Sequence, residues 1–370
     1  MKSAATLTIL LFFAALPSIG QDVWPAEPLS EAVNLTPIEG PGANDFHDDL
    51  SGAFWNSATR TLWLGRNGPG AANSKLWAAV EDGQGGFEID ERAGARAEWT
   101  SFGDLEGVTQ ADLAEDVVYL MIEGEERIKA FDISEYGTAT LLNDWDTASF
   151  LPRRGGSGAE GITFVPDAFL MEAGFVDGQG NLYLSTQGMN GLMFVGHQNG
   201  GSIFVFDLNR SNDSFVFVGE YETGRGDTSG LEFDRSTGVL YAYHDAGIDV
   251  LSAFGLNSSG TQGGGTRVLN TIASFDGPAN ENNEGIAIVS VAECSQGSRS
   301  FFLTTDDGEE DSLRWYQAFE HGCEESGVPV PFAGVLGRLI LVLSVLLVGG
   351  LNFPRQSSRP TNRSQRRSSD

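Results

Sequence analysis

The stretch GDTSGLEFDRSTGVLYAYHDAG, residues 226–247, contains two short apolar runs separated by a turn. Ser229 and Gly230 stand before the first run, and His244 and Asp245 follow the second. Four other stretches repeat this arrangement, with Ser or Glu directly before Gly and a similar pair of runs behind it. The residues aligned with Ser229 are Ser51, Glu106, Glu160 and Glu284.

The five aligned residues follow each other at spacings of 55, 54, 69 and 55 residues. A self-similar period of this length is typical of propellers and repeat arrays. A single Ser-Gly or Glu-Gly pair carries no information, but five in register with the same strand pattern are hard to obtain by chance. The repeat therefore sets the fold class.

Each repeat is long enough for four short strands separated by turns that contain Gly, Asp or Ser. Four antiparallel strands make one propeller blade, so the sequence predicts an all-β, five-bladed β-propeller. The last repeat supplies three strands, and we expect residues 32–39 to provide the fourth and close the ring, which removes an open sheet edge. Six blades are the alternative if the long third repeat hides another sheet, and an open β-sandwich is the second alternative.

In the third repeat we expect strand a in residues 160–165 and strand b in NLYLST, residues 181–186. Residues 188–201 then become an insertion between strands b and c. This assignment places Gln187 at the end of strand b.

The two chain ends read as segments outside the propeller. Residues 1–20 resemble a secretory signal, the alternative being a retained N-terminal anchor. Residues 328–354 combine the motif VPVP with an apolar run long enough to cross a bilayer, and residues 355–370 form a basic tail that would stay cytoplasmic. The propeller domain then covers residues 21–327. We expect an exported, monomeric protein in the periplasm or at the surface of a bacterium, attached or sorted through its C-terminal segment.

The formal net charge is −29. This charge argues against nucleic acids and anionic membrane surfaces as partners. A strongly negative charge favours divalent cations as partners, although it can also serve only to keep the protein soluble. The two cysteines, Cys294 and Cys323, are expected to form a disulfide in an oxidising compartment.

In a propeller, the start of strand a and the end of strand b lie on the same face. The five aligned residues should therefore form a ring at one mouth of the central channel. Around them we expect Arg66, Glu123, Gln187, His244 with Asp245, and Asp306 with Asp307. Three converging glutamates repel each other, and a hard cation such as Ca²⁺ relieves the repulsion. In the alternative, these side chains only bond backbone amides and water.

The motifs DLSG…TLWL, DLEGV, AEGITF and NEGIAI, together with residues 226–247, resemble the SdiA-regulated and phytase-like (esterase-like) bacterial β-propeller proteins. The resemblance covers roughly residues 45–320, and the fifth repeat departs from it because Asn replaces the motif Asp. It implies a secreted or membrane-attached propeller, often assigned calcium binding. Matched residue by residue, the family's motifs fall on Asp104, Glu106, Glu160, Asp227, Ser229, His244, Asp245 and Glu284. The C-terminal segment, in turn, resembles PEP-CTERM sorting signals.

Two functions remain open on these observations. The first is a binding or scaffold propeller whose envelope ligand the sequence does not name. The second is a calcium-dependent phosphoesterase, which needs several Ca²⁺ ions because bare carboxylates repel phosphate. The sequence has no G-x-S-x-G motif, and its candidates for catalytic groups are Ser229, His244 and Asp245. The candidate metal ligands are Glu106, Glu160, Glu284, Asp104, Asp227, Glu123, Asp245 and Asp306.

Overall fold

Short apolar runs between turn residues form strands along most of the described chain. The computed structural model describes residues 22–40, 45–47, 50–67, 73–90, 94–100, 102–152, 157–262, 265–278, 282–306 and 311–323. Its strands are β1 (Val33–Asn34), β2 (Leu50–Asn56), β3 (Thr61–Arg66), β4 (Asn73–Glu81), β5 (Phe87–Ile89), β6 (Ala97–Thr100), β7 (Asp104–Thr109), β8 (Val117–Glu123), β9 (Arg127–Asp132), β10 (Thr140–Asp146), β11 (Ala159–Pro166), β12 (Gly191–His197), β13 (Ile203–Leu208), β14 (Phe215–Glu222), β15 (Gly230–Asp234), β16 (Val239–His244), β17 (Val250–Thr261), β18 (Arg267–Asp276), β19 (Asn283–Ile288), β20 (Arg299–Thr305) and β21 (Leu313–Phe319). One α-helix, α1 (Asp167–Ala173), and short 3-10 helices complete the described elements. The predicted all-β class is confirmed.

The strands form antiparallel sheets that follow the sequence repeats. One sheet contains β2, β3, β4 and β5 with β6 also on β4, a second contains β7 to β10, and a third has the order β1-β21-β20-β19. The third and fourth repeats share an eight-stranded sheet because β14 and β18 pair in parallel through Tyr221 with Arg267 and Glu222 with Val268.

The first strands of the repeats pack against each other in a closed ring. Strand β2 contacts β7 and β19, β11 contacts β7 and β15, and β15 contacts β19. Apolar clusters fill the spaces between neighbouring sheets. Sheets arranged radially around a ring of inner strands are the architecture of a β-propeller.

The glycine of each repeat lies where two inner strands meet. A Cβ on Gly285 would stand 2.1 Å from the Ser51 carbonyl oxygen, and one on Gly230 would stand 2.1 Å from that of Glu284. The corresponding distance is 2.5 Å from Gly107 to the Glu160 oxygen. Gly52 and Gly161 face the next inner strand in the same way. Only glycine permits this approach of backbone to backbone.

The Ser-Gly or Glu-Gly pair also interrupts the pairing of each inner strand. The register with the neighbouring strand shifts at this pair in β2, β7, β11 and β19. In the fourth repeat, Gly230 pairs with Tyr243 while the Ser229 amide donates to the same Tyr243 carbonyl at 3.0 Å. Two residues then face one, as in a β-bulge, and bulges re-aim side chains.

The N-terminal segment closes the ring as predicted. Val33 pairs with Trp315 and Asn34 with Arg314, and the Leu35 amide donates to the Leu313 carbonyl. The strand is only two residues long because a 3-10 helix, Thr36–Glu39, follows it.

The sequence did not indicate that residues 22–27 extend this closure. The Trp24 ring packs edge-on against Phe301 and Tyr316, with centroids 5.4 and 5.2 Å away. The Glu27 carboxylate accepts hydrogen bonds from the amides of Gln317 and Ala318. The N-terminal segment therefore supports β21 along most of its length.

The predicted strand b of the third repeat is wrong. Strand b is β12 (Gly191–His197), within the range expected to be an insertion, and it pairs with β11. Residues 181–186 run outside the sheet, with Leu182 77% exposed. Asp207 holds this segment as a loop because its carboxylate accepts from the Thr186 amide and from the hydroxyl groups of Thr186 and Tyr183.

The predicted disulfide between Cys294 and Cys323 is present, with the two Cα atoms 5.8 Å apart. The signal at residues 1–20 and the segments at 328–354 and 355–370 lie outside the described residues. Among the described residues, no helix has the length and apolar character needed to span a membrane.

The glycine contacts generate the first prediction. Gly285→Ala should lower the free energy of unfolding by more than about 3 kcal/mol, because its Cβ would overlap a backbone carbonyl that cannot move alone. Gly226→Ala is the matched control, since a Cβ there meets no atom within 4 Å. Urea denaturation of both variants measures the difference. Equal stabilities would contradict close packing at the ring.

The second prediction concerns the closing segment. Trp24→Ala should cost about 2–3 kcal/mol of unfolding free energy, because it removes an aromatic side chain packed between three rings of the last sheet. Val23→Ala should be neutral, since Val23 is 84% exposed. Melting curves that coincide for both variants would show that residues 22–27 do not hold β21.

Candidate metal centre

Three glutamates from three repeats converge where the inner strands meet. Glu106, Glu160 and Glu284 are each no more than 8% exposed. One carboxylate oxygen from each lies within 4.8 Å of those of the other two. The bulges in β7, β11 and β19 direct these side chains together, as the sequence predicted.

The two serines of the ring behave differently from each other. The Ser51 side chain hydrogen-bonds both Glu106 and Glu284. The Ser229 hydroxyl instead donates to the Asn283 carbonyl at 3.0 Å. The polar cluster at the axis therefore contains three carboxylates, two of which share the Ser51 hydroxyl group.

A second carboxylate cluster shares Glu106 with the first. Oxygens of Asp104, Glu106 and Glu123 also lie within 4.8 Å of one another. The Gly158 amide donates to Glu123 Oε1 at 2.5 Å, and the Asn67 amide group donates to Glu106 Oε1 at 3.4 Å. The opposed ends of β7 and β8 create this cluster, because Asp104 pairs with Glu123 across the two strands.

Burial and mutual repulsion make ionisation of these groups costly. Burial is the largest cause that raises the pKa of Glu106, Glu160 and Glu284 well above the ordinary range, and neighbouring carboxylates add to it. Burial also raises the pKa of Glu123 to about 7. A bound cation reverses this penalty because it favours the charged carboxylates.

The polar atoms of the cluster fit a hard cation. Glu284 Oε2 is buried and has no hydrogen-bond partner among the described residues. The donor atoms here are carboxylate and hydroxyl oxygens, the ligands that Ca²⁺ takes in six- to eight-fold coordination. Buried oxygens without donors are unusual in proteins unless an ion or water satisfies them.

The other predicted metal ligands lie outside both clusters. Asp227 Oδ2 accepts from the amides of Asp245 and Ala246, at 2.7 and 3.0 Å. Asp245 Oδ1 accepts from the Asn283 amide at 2.9 Å and so links the fourth repeat to the fifth. Asp306 follows β20 and accepts from the Asn282 side chain at 3.2 Å. Asp227 and Asp245 thus support the loops around the clusters.

The predicted catalytic candidates do not form a nucleophile–base pair. His244 Nδ1 contacts the Asp227 carbonyl at 2.5 Å, and its Nε2 lies 3.1 Å from the Ser252 hydroxyl. Burial lowers the pKa of His244 to about 4. Ser229 donates to backbone carbonyls instead. His244, neutral because of its low pKa, therefore serves to connect parts of the fourth repeat.

The residues that the sequence predicted around the ring differ in where they lie in the structure. Arg66 is buried and pairs with Asp45 at 3.1 Å, and Asp307 lies outside the described residues. His197 ends β12 at the place expected for Gln187, which lies in the loop that Asp207 fixes. No sequence motif pointed to Thr304, whose hydroxyl donates to the Ser51 carbonyl at 2.6 Å and accepts from the Gly285 amide.

Comparisons with known proteins add the following. No family model matches the sequence, and no curated protein matches it. The periplasmic gluconolactonase PpgL of Pseudomonas aeruginosa aligns at 13% identity with a TM-score of 0.35, covering 62% of this chain and 55% of that one. A chain of the mitotic checkpoint complex aligns at 12% identity and 0.38, covering 84% and 99%. Raptor of Chaetomium thermophilum aligns at 8% and 0.36 over 70% of this chain, which spans only 19% of Raptor. At these TM-scores the likenesses assign neither a family nor an activity.

The carboxylate cluster generates a prediction about pH. A raised pKa means that the folded protein binds more protons than the unfolded chain between the ordinary and the raised value, so stability falls as pH rises through this window. In a chelator, the wild type should therefore lose stability relative to Glu160→Gln as pH rises above the ordinary glutamate range, because burial raises the pKa of Glu160. His244 titrates in the opposite direction but is common to both proteins.

Urea denaturation at each pH measures this difference. The matched control is Glu98→Gln, which changes an exposed carboxylate on β6 and should track the wild type. A wild type and a Glu160→Gln variant with the same pH dependence would contradict repulsion within the cluster.

Proposed function

We propose that the protein is an exported, monomeric five-bladed β-propeller of the bacterial cell envelope that binds a divalent cation, calcium, at the mouth of its channel. It would then serve as a ligand-binding or scaffold module. The single observation that carries the cation proposal is the convergence of Glu106, Glu160 and Glu284, whose oxygens lie within 4.8 Å of one another.

The proposal of five blades rests on the five repeats and on the five inner strands that contact each other in sequence. The eight-stranded sheet divides into two four-stranded halves, and among the described residues the strand pairing between the halves is limited to two parallel pairs. The family proposal, an SdiA-regulated and phytase-like propeller, rests on the motifs of the repeats. The proposals of export and of C-terminal attachment rest on the sequence of the two chain ends.

Calcium is favoured over other cations by the donor set. Zinc prefers histidine and cysteine, whereas both clusters consist of carboxylates. Magnesium demands a near-ideal octahedral shell and keeps several waters, whereas calcium accepts six to eight oxygens in flexible geometry. Glu106, Glu160 and Glu284, with the Ser51 hydroxyl nearby, offer such a shell.

A binding role is favoured because Ser229 and His244 have other partners and leave no activated nucleophile between them. The second candidate function is calcium-dependent phosphoester cleavage. The observation that favours it is the second cluster, Asp104, Glu106 and Glu123, since two cations that share Glu106 could bind one phosphate group. Hydrolysis of phosphomonoesters that starts on addition of Ca²⁺ and stops with a chelator would support it.

The cation proposal predicts stabilisation by mass action. At a hundredfold excess over its dissociation constant, Ca²⁺ should stabilise the protein by about 2.7 kcal/mol and raise Tm. The double variant Glu106→Gln with Glu160→Gln should lose this response. In a chelator it should be no less stable than the wild type, because repulsion in the cluster is relieved.

The control is Glu88→Gln with Glu98→Gln, which removes the same charge from exposed positions of β5 and β6. This variant should keep the full Ca²⁺ response. A response that survives in the cluster variant would place the cation elsewhere. No response in the wild type would leave the cluster as a hydrogen-bonded structural feature.

A further inference from the structure

A pocket of about 540 Å³ lies between the sheets of the first and last repeats. Its aromatic lining comes from Trp55 on β2, Phe87 on β5 and Trp315 on β21. None of its lining residues belongs to either carboxylate cluster. Its volume lies in the range typical of small-molecule sites, roughly 300–1,000 Å³.

The aromatic lining is held in place by ring contacts. Phe87 packs edge-on against Trp315 with centroids 5.1 Å apart. Phe302 stacks between Trp55 and Trp315, at 6.0 and 6.3 Å. The Trp315 Nε1 donates to the Ser300 hydroxyl at 2.8 Å, which fixes the indole orientation. The partly exposed Trp315 therefore offers a preformed flat apolar surface.

The rim of the pocket is polar. Arg60 pairs with both Glu81 and Glu293 and so links the first and last repeats across the pocket. The Gln317 side chain is exposed at the rim, while its backbone amide is held by Glu27. These groups offer carboxylate and amide oxygens as well as nitrogen donors.

Two buried donors of the lining lack an acceptor among the described residues. They are the indole Nε1 of Trp55 and the Nε of Arg299. The other guanidinium nitrogens of Arg299 are satisfied, with Nη1 donating to Asp234 at 2.6 Å and Nη2 to the His321 carbonyl at 2.9 Å. Both atoms are buried behind the accessible surface of the pocket, so the groups within reach of a ligand are Trp315 and the polar rim.

We propose that this pocket binds a neutral sugar ring at the end of a glycan. One face of a sugar ring presents C–H groups that pack against an indole, while the hydroxyl groups around its edge both donate and accept hydrogen bonds. Such a ligand suits Trp315 together with Glu81, Glu293 and Gln317. A purely apolar ligand would leave the polar rim unpaired, and an anionic one would find Arg60 and Arg299 already paired with carboxylates, on a chain of net charge −29.

The test is calorimetric titration of the full chain, purified in mild detergent, with neutral tetrasaccharides of glucose, mannose, galactose and N-acetylglucosamine. A chelator is present throughout, so the result does not depend on the cation proposal. At least one tetrasaccharide should bind, and Trp315→Ala should weaken that binding at least about tenfold, or about 1.4 kcal/mol. Gln317→Ala, at an exposed position, should weaken it without lowering Tm.

The matched control is Trp99→Ala, which removes another partly exposed tryptophan that stacks on a phenylalanine, Phe102, at 4.8 Å. This variant should keep the affinity of the wild type. Absence of binding to all four sugars would overturn the proposal. Binding that Trp315→Ala and Gln317→Ala both leave unchanged would also overturn it, because the sugar would then occupy another surface.

Discussion

The contact of inner-strand backbones at five glycines is the constraint on which the rest of the structure depends. Each glycine brings its strand so close to the next that a Cβ would stand 2.1–3.1 Å from a backbone atom. This spacing sets the diameter of the ring, and the sheets then pack radially through their apolar faces. The Ser-Gly and Glu-Gly pairs are therefore needed for the packing of the ring, independently of any ligand.

The same constraint creates the electrostatic problem at the channel mouth. Because bulges in β7, β11 and β19 re-aim the residue before the glycine, three of the five positions bring buried carboxylates together. Burial and repulsion raise the pKa of each of these glutamates. Burying these carboxylates lowers the stability of the fold. A bound cation counteracts this loss most directly, because positive charge turns repulsion between the carboxylates into coordination.

Much of this arrangement could be predicted from the sequence because the repeat carries both the strands and the polar residues at their ends. The closure by the N-terminal segment, of which Val33–Asn34 pair with β21, followed from an unfilled edge, and the disulfide followed from an oxidising compartment. The third repeat failed because NLYLST and GLMFVGH both read as short strands, and contacts outside the local pattern decide between them. Leu192 and Phe194 are buried in the core, whereas Asp207 holds Thr186 in a loop. The different partners of Ser51 and Ser229, and the closure through Trp24, depend on contacts between repeats that no local pattern encodes.

The most direct test of the cation centre is anomalous diffraction from crystals of the protein grown with Ca²⁺ and measured at a wavelength where calcium scatters anomalously. We expect a peak between the carboxylates of Glu106, Glu160 and Glu284, with oxygens at the roughly 2.3–2.6 Å typical of calcium. A map without a peak between these three residues, at a Ca²⁺ concentration that raises Tm, would contradict it.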